Sequence, residues 1–249
     1  MSEYDHRAQR LFVPASLAAG QLVPVPTESL NYLLNVLRLR TGAGVHIFNG
    51  QDGEFFAVLQ LAGKRSAHFE VLKRLREQSR QPNLDYCFAP IKQARLDYMV
   101  QKATEMGVGC IRPIITSYTQ IRKVNMDRLR ANIIEAAEQC GVLAVPELFP
   151  PVSLPAFLET SSAQTLFVFC DEKAETANPF NSLSGHVASH VSLIIGPEGG
   201  FDEVERQLIL SAPNVVRLSL GPRILRADTA AVAALTIVQA ALGDWNNAS

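Results

Sequence analysis

Two apolar runs of β character, Leu193-Ile194-Ile195 and Leu218-Ser219-Leu220, each end in a Gly-Pro loop, and each loop leads into a helical pattern. The first loop is Gly196-Pro197-Glu198-Gly199-Gly200-Phe201 and the second is Gly221-Pro222-Arg223-Ile224-Leu225-Arg226. Strand, glycine-rich loop and helix in that order mark an α/β chain, in which loops leaving the carboxyl ends of parallel strands form the ligand crevice. Glycine there lets a ligand approach the backbone closely. A single Gly-Pro pair is ordinary turn punctuation. Two in equivalent places favour a ligand site. Neither is a nucleotide-phosphate cradle: Gly196 to Gly200 lacks the Lys-Ser/Thr of a P-loop and is not G-x-G-x-x-G. What remains is exposed backbone, one carboxylate at Glu198 and one guanidinium at Arg226.

The rest of the chain divides by pattern. Val45–Phe48, Glu54–Leu59 and Ala67–Leu72 are short β-prone runs, separated by the turns Asn49-Gly50-Gln51-Asp52-Gly53 and Ala62-Gly63-Lys64-Arg65-Ser66. Before them a helix is expected, with Thr27 as N-cap, Leu30, Leu33, Leu34 and Leu37 on one face and Arg38 and Arg40 at its exposed end. Lys73 to Pro82 is polar and suits a linker. Beyond it strands and helices alternate: strands at Leu84–Ala89, Ile111–Ile115, Leu166–Cys170, Val191–Ile195 and Val215–Leu220; helices at Ala94–Met106, Asp127–Cys140, Leu154–Leu158 and Glu203–Leu210. That order implies a mostly parallel sheet covered on both faces.

Composition narrows the class further. With 47% apolar residues over 249 the chain can bury a core. No apolar run reaches the roughly 18 residues of a membrane span, and Met1 to Arg7 has no apolar leader pattern, so a soluble cytoplasmic protein is expected. Cys87, Cys110, Cys140 and Cys170 are far apart and form no C-x-x-C pair, so neither a metal site nor a disulfide framework is expected, and the thiols are expected to be reduced and mostly buried. His186 and His190 stand four apart without a further ligand type beside them and are expected in a polar linker. Residues 1–80 hold 10 Lys/Arg against 7 Asp/Glu, and the remainder 13 against 17. An excess that small supports a nucleic-acid surface only weakly.

The G-P-E-G-G block and the segment Leu220-Gly221-Pro222-Arg223-Ile224-Leu225-Arg226-Ala227-Asp228-Thr229-Ala230 closely resemble the RsmE family of ribosomal RNA methyltransferases, in the knotted SPOUT superfamily. Val36-Leu37-Arg38, Gln101-Lys102-Ala103-Thr104-Glu105-Met106-Gly107 and Glu135-Ala136-Ala137-Glu138-Gln139-Cys140-Gly141 are similar to further blocks of that family, in the same order. The chain departs from the pattern at Asp228 for Glu, Cys140 for Ser, Val142 for Arg, and Ser117-Tyr118-Thr119 where an Arg-Ser pair is common. The resemblance implies an α/β SPOUT-type trefoil-knotted parallel sheet over 82–249 and a smaller PUA-like β-barrel over 1–74. It implies methylation of uridine N3 in 16S ribosomal RNA with S-adenosylmethionine, on the assembled or nearly assembled small subunit, by a homodimer whose subunits together complete the site. The apolar last helix, Ala230 to Leu242, is expected to help form that dimer. Two alternatives stay open: a non-catalytic RNA-binding relative, which Asp228 and the missing Arg at 142 would support, or an enzyme using another nucleotide cofactor.

Through the same resemblance the loops after Cys170, Ile195 and Leu220 would wrap the methyl donor. The residues so assigned are Cys170 and Asp171; Ile195, Gly196, Pro197, Glu198, Gly199 and Gly200; and Leu218, Leu220, Gly221, Ile224, Leu225, Arg226, Thr229 and Ala230. Arg10, Arg38 and Arg40 are assigned to RNA phosphates. The residues themselves add roles. Asp202 and Glu205 fit a D-x-x-E capping box, so both belong to helix initiation. Glu198 caps no obvious helix. Asp228 or Thr229 is the expected N-cap of the last helix. Arg226 suits no cap and meets an unfavourable helix dipole, so an anionic partner is expected: Glu198, Asp228 or a phosphate. Arg226, Glu198 and Asp228 are therefore the catalytic candidates.

Overall fold

The computed structural model describes residues 8–63, 66–175 and 178–247. The expected leader-free start and two residues of the turn at Ala62–Ser66 lie outside them. The described residues form two compact units, one reaching to Arg80 and including Ala137–Ala144, the other holding Gln81–Ala136 and the residues from Val145 on.

In the first unit, β1 (Arg10–Phe12), β2 (Leu22–Pro24), β3 (Gly44–Phe48), β4 (Glu54–Leu61) and β5 (Ala67–Arg76) form one curled sheet in the order β1-β3-β4-β5-β2. Alternation builds its core: Phe55, Ala57 and Leu59 of β4 face inward with Ala67, Phe69 and Val71 of β5. The polar stretch expected as a linker starts instead as strand, because Lys73, Arg74 and Arg76 pair with Phe56, Phe55 and Glu54 of β4. Helix α1 (Thr27–Asn31) has Pro26, not Thr27, at its N-cap. It widens into a π-turn over Tyr32–Val36, with Leu37 N–H bonded to the Tyr32 carbonyl at 2.9 Å. Leu30 and Leu33 are buried, and Leu34 and Leu37 pack on the same core.

A charge cluster ties this unit together. Glu54 is fully buried, and its two oxygens take the Nε of Arg10 and the Nε of Arg76, each at 2.5 Å. Arg10 also donates to the carbonyls of Ala137 and Glu138 and lies over the Phe48 ring at 4.6 Å. Arg10 is thus an internal brace, which corrects its assignment to RNA: a buried guanidinium already holding a carboxylate has no free face for phosphate.

The second unit alternates β6 (Leu84–Phe88), α2 (Gln93–Glu105), β7 (Cys110–Ile115), α3 (Met126–Cys140), the short β8 (Glu147–Leu148) and β9 (Val152–Ser153), α4 (Leu154–Thr160), β10 (Leu166–Cys170), α5 (Pro179–Leu183), β11 (Val191–Ile195), α6 (Glu203–Leu210), β12 (Val215–Leu218) and α7 (Ala227–Leu242). The strands are all parallel, in the order β12-β10-β11-β6-β7-β8, with β9 beside β7. Both faces are covered: Leu166 and Val168 of β10 join the core under α2 and α7, while Phe167 and Phe169 join a second core with Ile209 of α6 and Phe157 of α4. That explains why these strands are apolar throughout instead of alternating. One side of the apolar last helix is spent here, with Ala227, Ala230, Ala231, Ala234, Leu235 and Val238 buried in its own unit, while Val232, Ala233, Thr236 and Ala240 stay partly exposed. Among the described residues no helix is long and apolar enough to cross a membrane. The cysteines form no disulfide, but Cys140 is exposed and only Cys87 fully buried.

Asp85 of β6 is buried between Arg112, 2.6 Å away, and His190, 3.1 Å away. Donating to Asp85 raises the His190 pKa against the opposing effect of burial. A histidine raised in this way stabilises the fold below its ordinary value of about 6.5, and that contribution is lost as the pH rises through the folded value. His190→Asn should therefore flatten the decline in stability above neutrality. A parent-like slope in urea unfolding at a series of pH values would assign the decline to other groups. Glu54→Gln should lower stability by about 3–5 kcal/mol, since it leaves buried Arg10 facing an amide. An unchanged urea midpoint would show that the Arg10–Glu54–Arg76 cluster contributes little.

Candidate functional site

Strand register creates the site. Phe169 of β10 lies level with Ile194 of β11 and Cys170 with Leu218 of β12, so three neighbouring strands end together and release their loops on one side. These loops enclose a cleft of about 260 Å³. Cys170, Asp171, Ile195, Gly196, Pro197, Glu198, Gly200, Leu218, Leu220, Gly221, Ile224, Leu225 and Ala230, all expected at a ligand site, line it together. Gly199, Arg226 and Thr229 are not on its wall. Glu172, Lys173, Phe201, Arg206, Ser219, Pro222, Arg223 and Ala227 are on it and were not foreseen.

Local chemistry shapes each loop. After β11, Gly196 is required by close approach: a Cβ there would stand 2.6 Å from the Phe201 ring, which packs edge-on against Phe169 at 5.2 Å. The chain then enters α6 through the foreseen capping box, Glu205 N–H donating to Asp202 Oδ1 at 2.8 Å and Asp202 N–H to Glu205 Oε2 at 3.3 Å. After β12, Gly221 sits at φ +98° with open space where a Cβ would be.

The buried Asp171 fastens the loop after β10. It accepts from Arg206 Nη2 at 3.0 Å, Arg217 Nε at 2.7 Å and the Lys173 N–H at 3.0 Å. Burial pushes its pKa up, but these bonds outweigh burial and hold it below the usual carboxylate value. Its oxygens are therefore committed to the loop. Burial pushes the Cys170 thiol up to about 12, so it serves as a neutral wall and not as a nucleophile.

Arg226 is exposed and is itself the N-cap of α7 through its backbone, its carbonyl accepting from Ala230 N–H at 2.8 Å. This corrects the expectation that Asp228 or Thr229 caps the helix: Asp228 lies inside the first turn, where Oδ1 accepts from Thr229 N–H at 3.0 Å. Nor does Arg226 ion-pair with Glu198 or Asp228 among the described residues. Glu198 pairs instead with Arg95 of α2, whose Nη1 is 3.3 Å from Oε1. Arg95 was missed, although a cation in the first turn of a helix is the same anomaly that singled out Arg226. What hid it was strand order, since β6 and β11 become neighbours only in the sheet. Of the RNA candidates, Arg38 and Arg40 are exposed, and Arg38 has φ +55°, a conformation costly for a side-chain-bearing residue. Among the described residues no cluster of three His, Cys, Asp or Glu is placed to hold a metal.

A family model described as an RNA methyltransferase domain matches residues 77–239, and one described as an RNA methyltransferase PUA domain matches 25–72. Ribosomal RNA small subunit methyltransferase E of Rickettsia conorii is 32% identical over 232 residues, covering 92% of this chain and 94% of the relative. A methyltransferase from Legionella pneumophila, solved with bound S-adenosylmethionine, has a TM-score of 0.81 at 33% identity and covers 94% of this chain and 98% of its own. Ribosomal RNA small subunit methyltransferase E from Neisseria gonorrhoeae, bound to S-adenosylmethionine, has a TM-score of 0.84 at 27% identity, covering 96% and 100%. The fold is thus the one the sequence led us to expect, a SPOUT-type knotted parallel sheet with a PUA-like module.

The glycines give a direct check on the cleft. Gly196→Ala should cost about 1–3 kcal/mol by driving the Phe201 ring off Phe169, whereas Gly221→Ala should cost about 1 kcal/mol through backbone strain alone. Urea unfolding that ranks Gly221→Ala as clearly the worse would contradict this packing of the cleft wall.

Proposed function

The chain belongs to the ribosomal RNA small subunit methyltransferase E family, and on that premise we propose that it methylates N3 of a uridine in 16S ribosomal RNA with S-adenosylmethionine as donor. The observation that carries the reading is the cleft formed where β10, β11 and β12 end together, in a chain whose relatives of the same fold were solved with that donor. The cleft suits the group: Leu218, Leu220, Leu225 and Ala230 give it apolar walls, Glu172, Lys173 and Ser219 polar ones, and Gly221 leaves its backbone open to a ligand. When bound, the donor supplies a methyl already activated on a sulfonium, so the chemistry calls for no metal.

The chain's own residues then have to manage a proton. Uridine N3 is protonated at neutral pH and attacks only as that proton leaves. Glu198, on the cleft wall and oriented by Arg95, receives it. Asp228 suits this less, because it is not on the cleft wall. Arg226 is exposed between two cleft-lining residues, Leu225 and Ala227, and stabilises the negative charge that develops on the uracil ring. Residues 1–74, through Arg38 and Arg40, grip the RNA, and 82–249 carry the transfer. The protein works in the cytoplasm as a homodimer on the assembled or nearly assembled small subunit. Ile224, on the cleft wall and 98% exposed, is a side chain that a second subunit would cover.

Calorimetry should detect S-adenosylmethionine binding, and nucleoside mass spectrometry should find methyluridine in small-subunit RNA treated with the protein. In single turnover at saturating RNA and donor, Arg226→Ala should lose about 10²–10³ in rate while keeping its affinity for the donor. A collapse of donor affinity with a normal residual rate would make Arg226 a cofactor ligand and overturn its role in the chemical step.

A further inference from the structure

Beside the cleft stands an aromatic ring that the chemistry above leaves unused. Tyr118 lies in the turn after β7 and is half exposed. Its backbone is firmly held: Thr116 N–H donates to Thr119 Oγ1 at 2.8 Å, Thr119 N–H returns to the Thr116 carbonyl at 3.1 Å, and Ser117 N–H donates to Glu205 Oε1 of α6 at 2.7 Å. Its side chain rests on Gly199, where an added Cβ would lie 3.3 Å from Tyr118 Cβ and 3.5 Å from Cγ. Glu198, the next residue, is on the cleft wall. The turn is thus pinned and the side chain lies against Gly199, one residue from the cleft wall. The other comparably exposed tyrosine of this unit, Tyr98, already has the Lys102 ammonium over its ring at 5.5 Å.

A base paired and stacked in folded RNA hides its N3 edge, so an enzyme acting there must receive the base unstacked, and proteins hold unstacked bases against aromatic faces. We propose that Tyr118 is the stacking platform for the target uracil as it enters the cleft, an inference that rests on the base-methylation reading above. Stacking needs a π-face and not the hydroxyl. Preorganisation by the pinned turn keeps the entropic cost of holding the ring small.

The test is steady-state methylation of small ribosomal subunits lacking the modification, with S-adenosylmethionine affinity measured in parallel by calorimetry. Tyr118→Ala and Tyr118→Leu should each raise the KM for the subunit about ten-fold, with the donor affinity at the parent value. Tyr118→Phe and Tyr118→Trp should restore the KM. If Leu restores it as well as Phe, bulk and not stacking is what matters, and the platform is overturned. An unchanged KM in Tyr118→Ala, with the parent enzyme active, overturns the platform alone, whereas a parent that methylates no uridine overturns the underlying reading with it. Light scattering that shows Tyr118→Ala falling to a smaller assembly would place the ring in a contact between copies of the chain and also overturn the proposal.

Discussion

The parallel register of β12, β10 and β11 is the constraint on which the rest of the second unit depends. Hydrogen bonds between these strands bring Cys170 level with Leu218 and Phe169 level with Ile194. One residue of slip in any of them would turn its side chains to the opposite face, exchanging members of the two cores and moving one loop off the cleft. Register is therefore protected by burial on both sides of the sheet. The loops inherit positions that their own polar sequences do not specify.

Electrostatics then tightens what register places. Asp171, with two arginines and a backbone N–H on one carboxylate, fixes the loop after β10. The pair Asp202 and Glu205 does the same at the start of α6, and Glu205 also takes the N–H of Ser117. A single helix start thus fastens both the loop after β11 and the turn after β7. In the first unit Glu54 has a comparable task between Arg10 and Arg76. In both units a buried carboxylate shared by two guanidiniums holds segments far apart in the chain, and losing Glu54 leaves the buried charge of Arg10 without its carboxylate.

Local rules succeeded where the physics is local. The capping box at Asp202 needs only residues three apart, and the helix Glu203–Leu210 follows from it. The strands at Leu166–Cys170 and Val191–Ile195 follow from apolar runs too short for helices. The same reasoning misjudged Arg10 and the charged end of β5, and it did not find Arg95. A cation's role depends on the anion it meets, and Glu54 is 44 residues from Arg10, while Arg226 meets none among the described residues.

By itself the sequence determined the α/β class, the order of elements and the two Gly-Pro loops, because periodicity, capping and glycine's freedom act within a few residues. Its blocks also pointed to the right family. Only the tertiary structure decided which charges meet: Arg95 with Glu198, Asp171 with Arg206 and Arg217, Arg10 with Glu54. It also set Tyr118 against Gly199, next to cleft-lining Glu198. Those encounters follow from strand order, and strand order is fixed by burying both faces of one sheet at once, which no short window of residues can express.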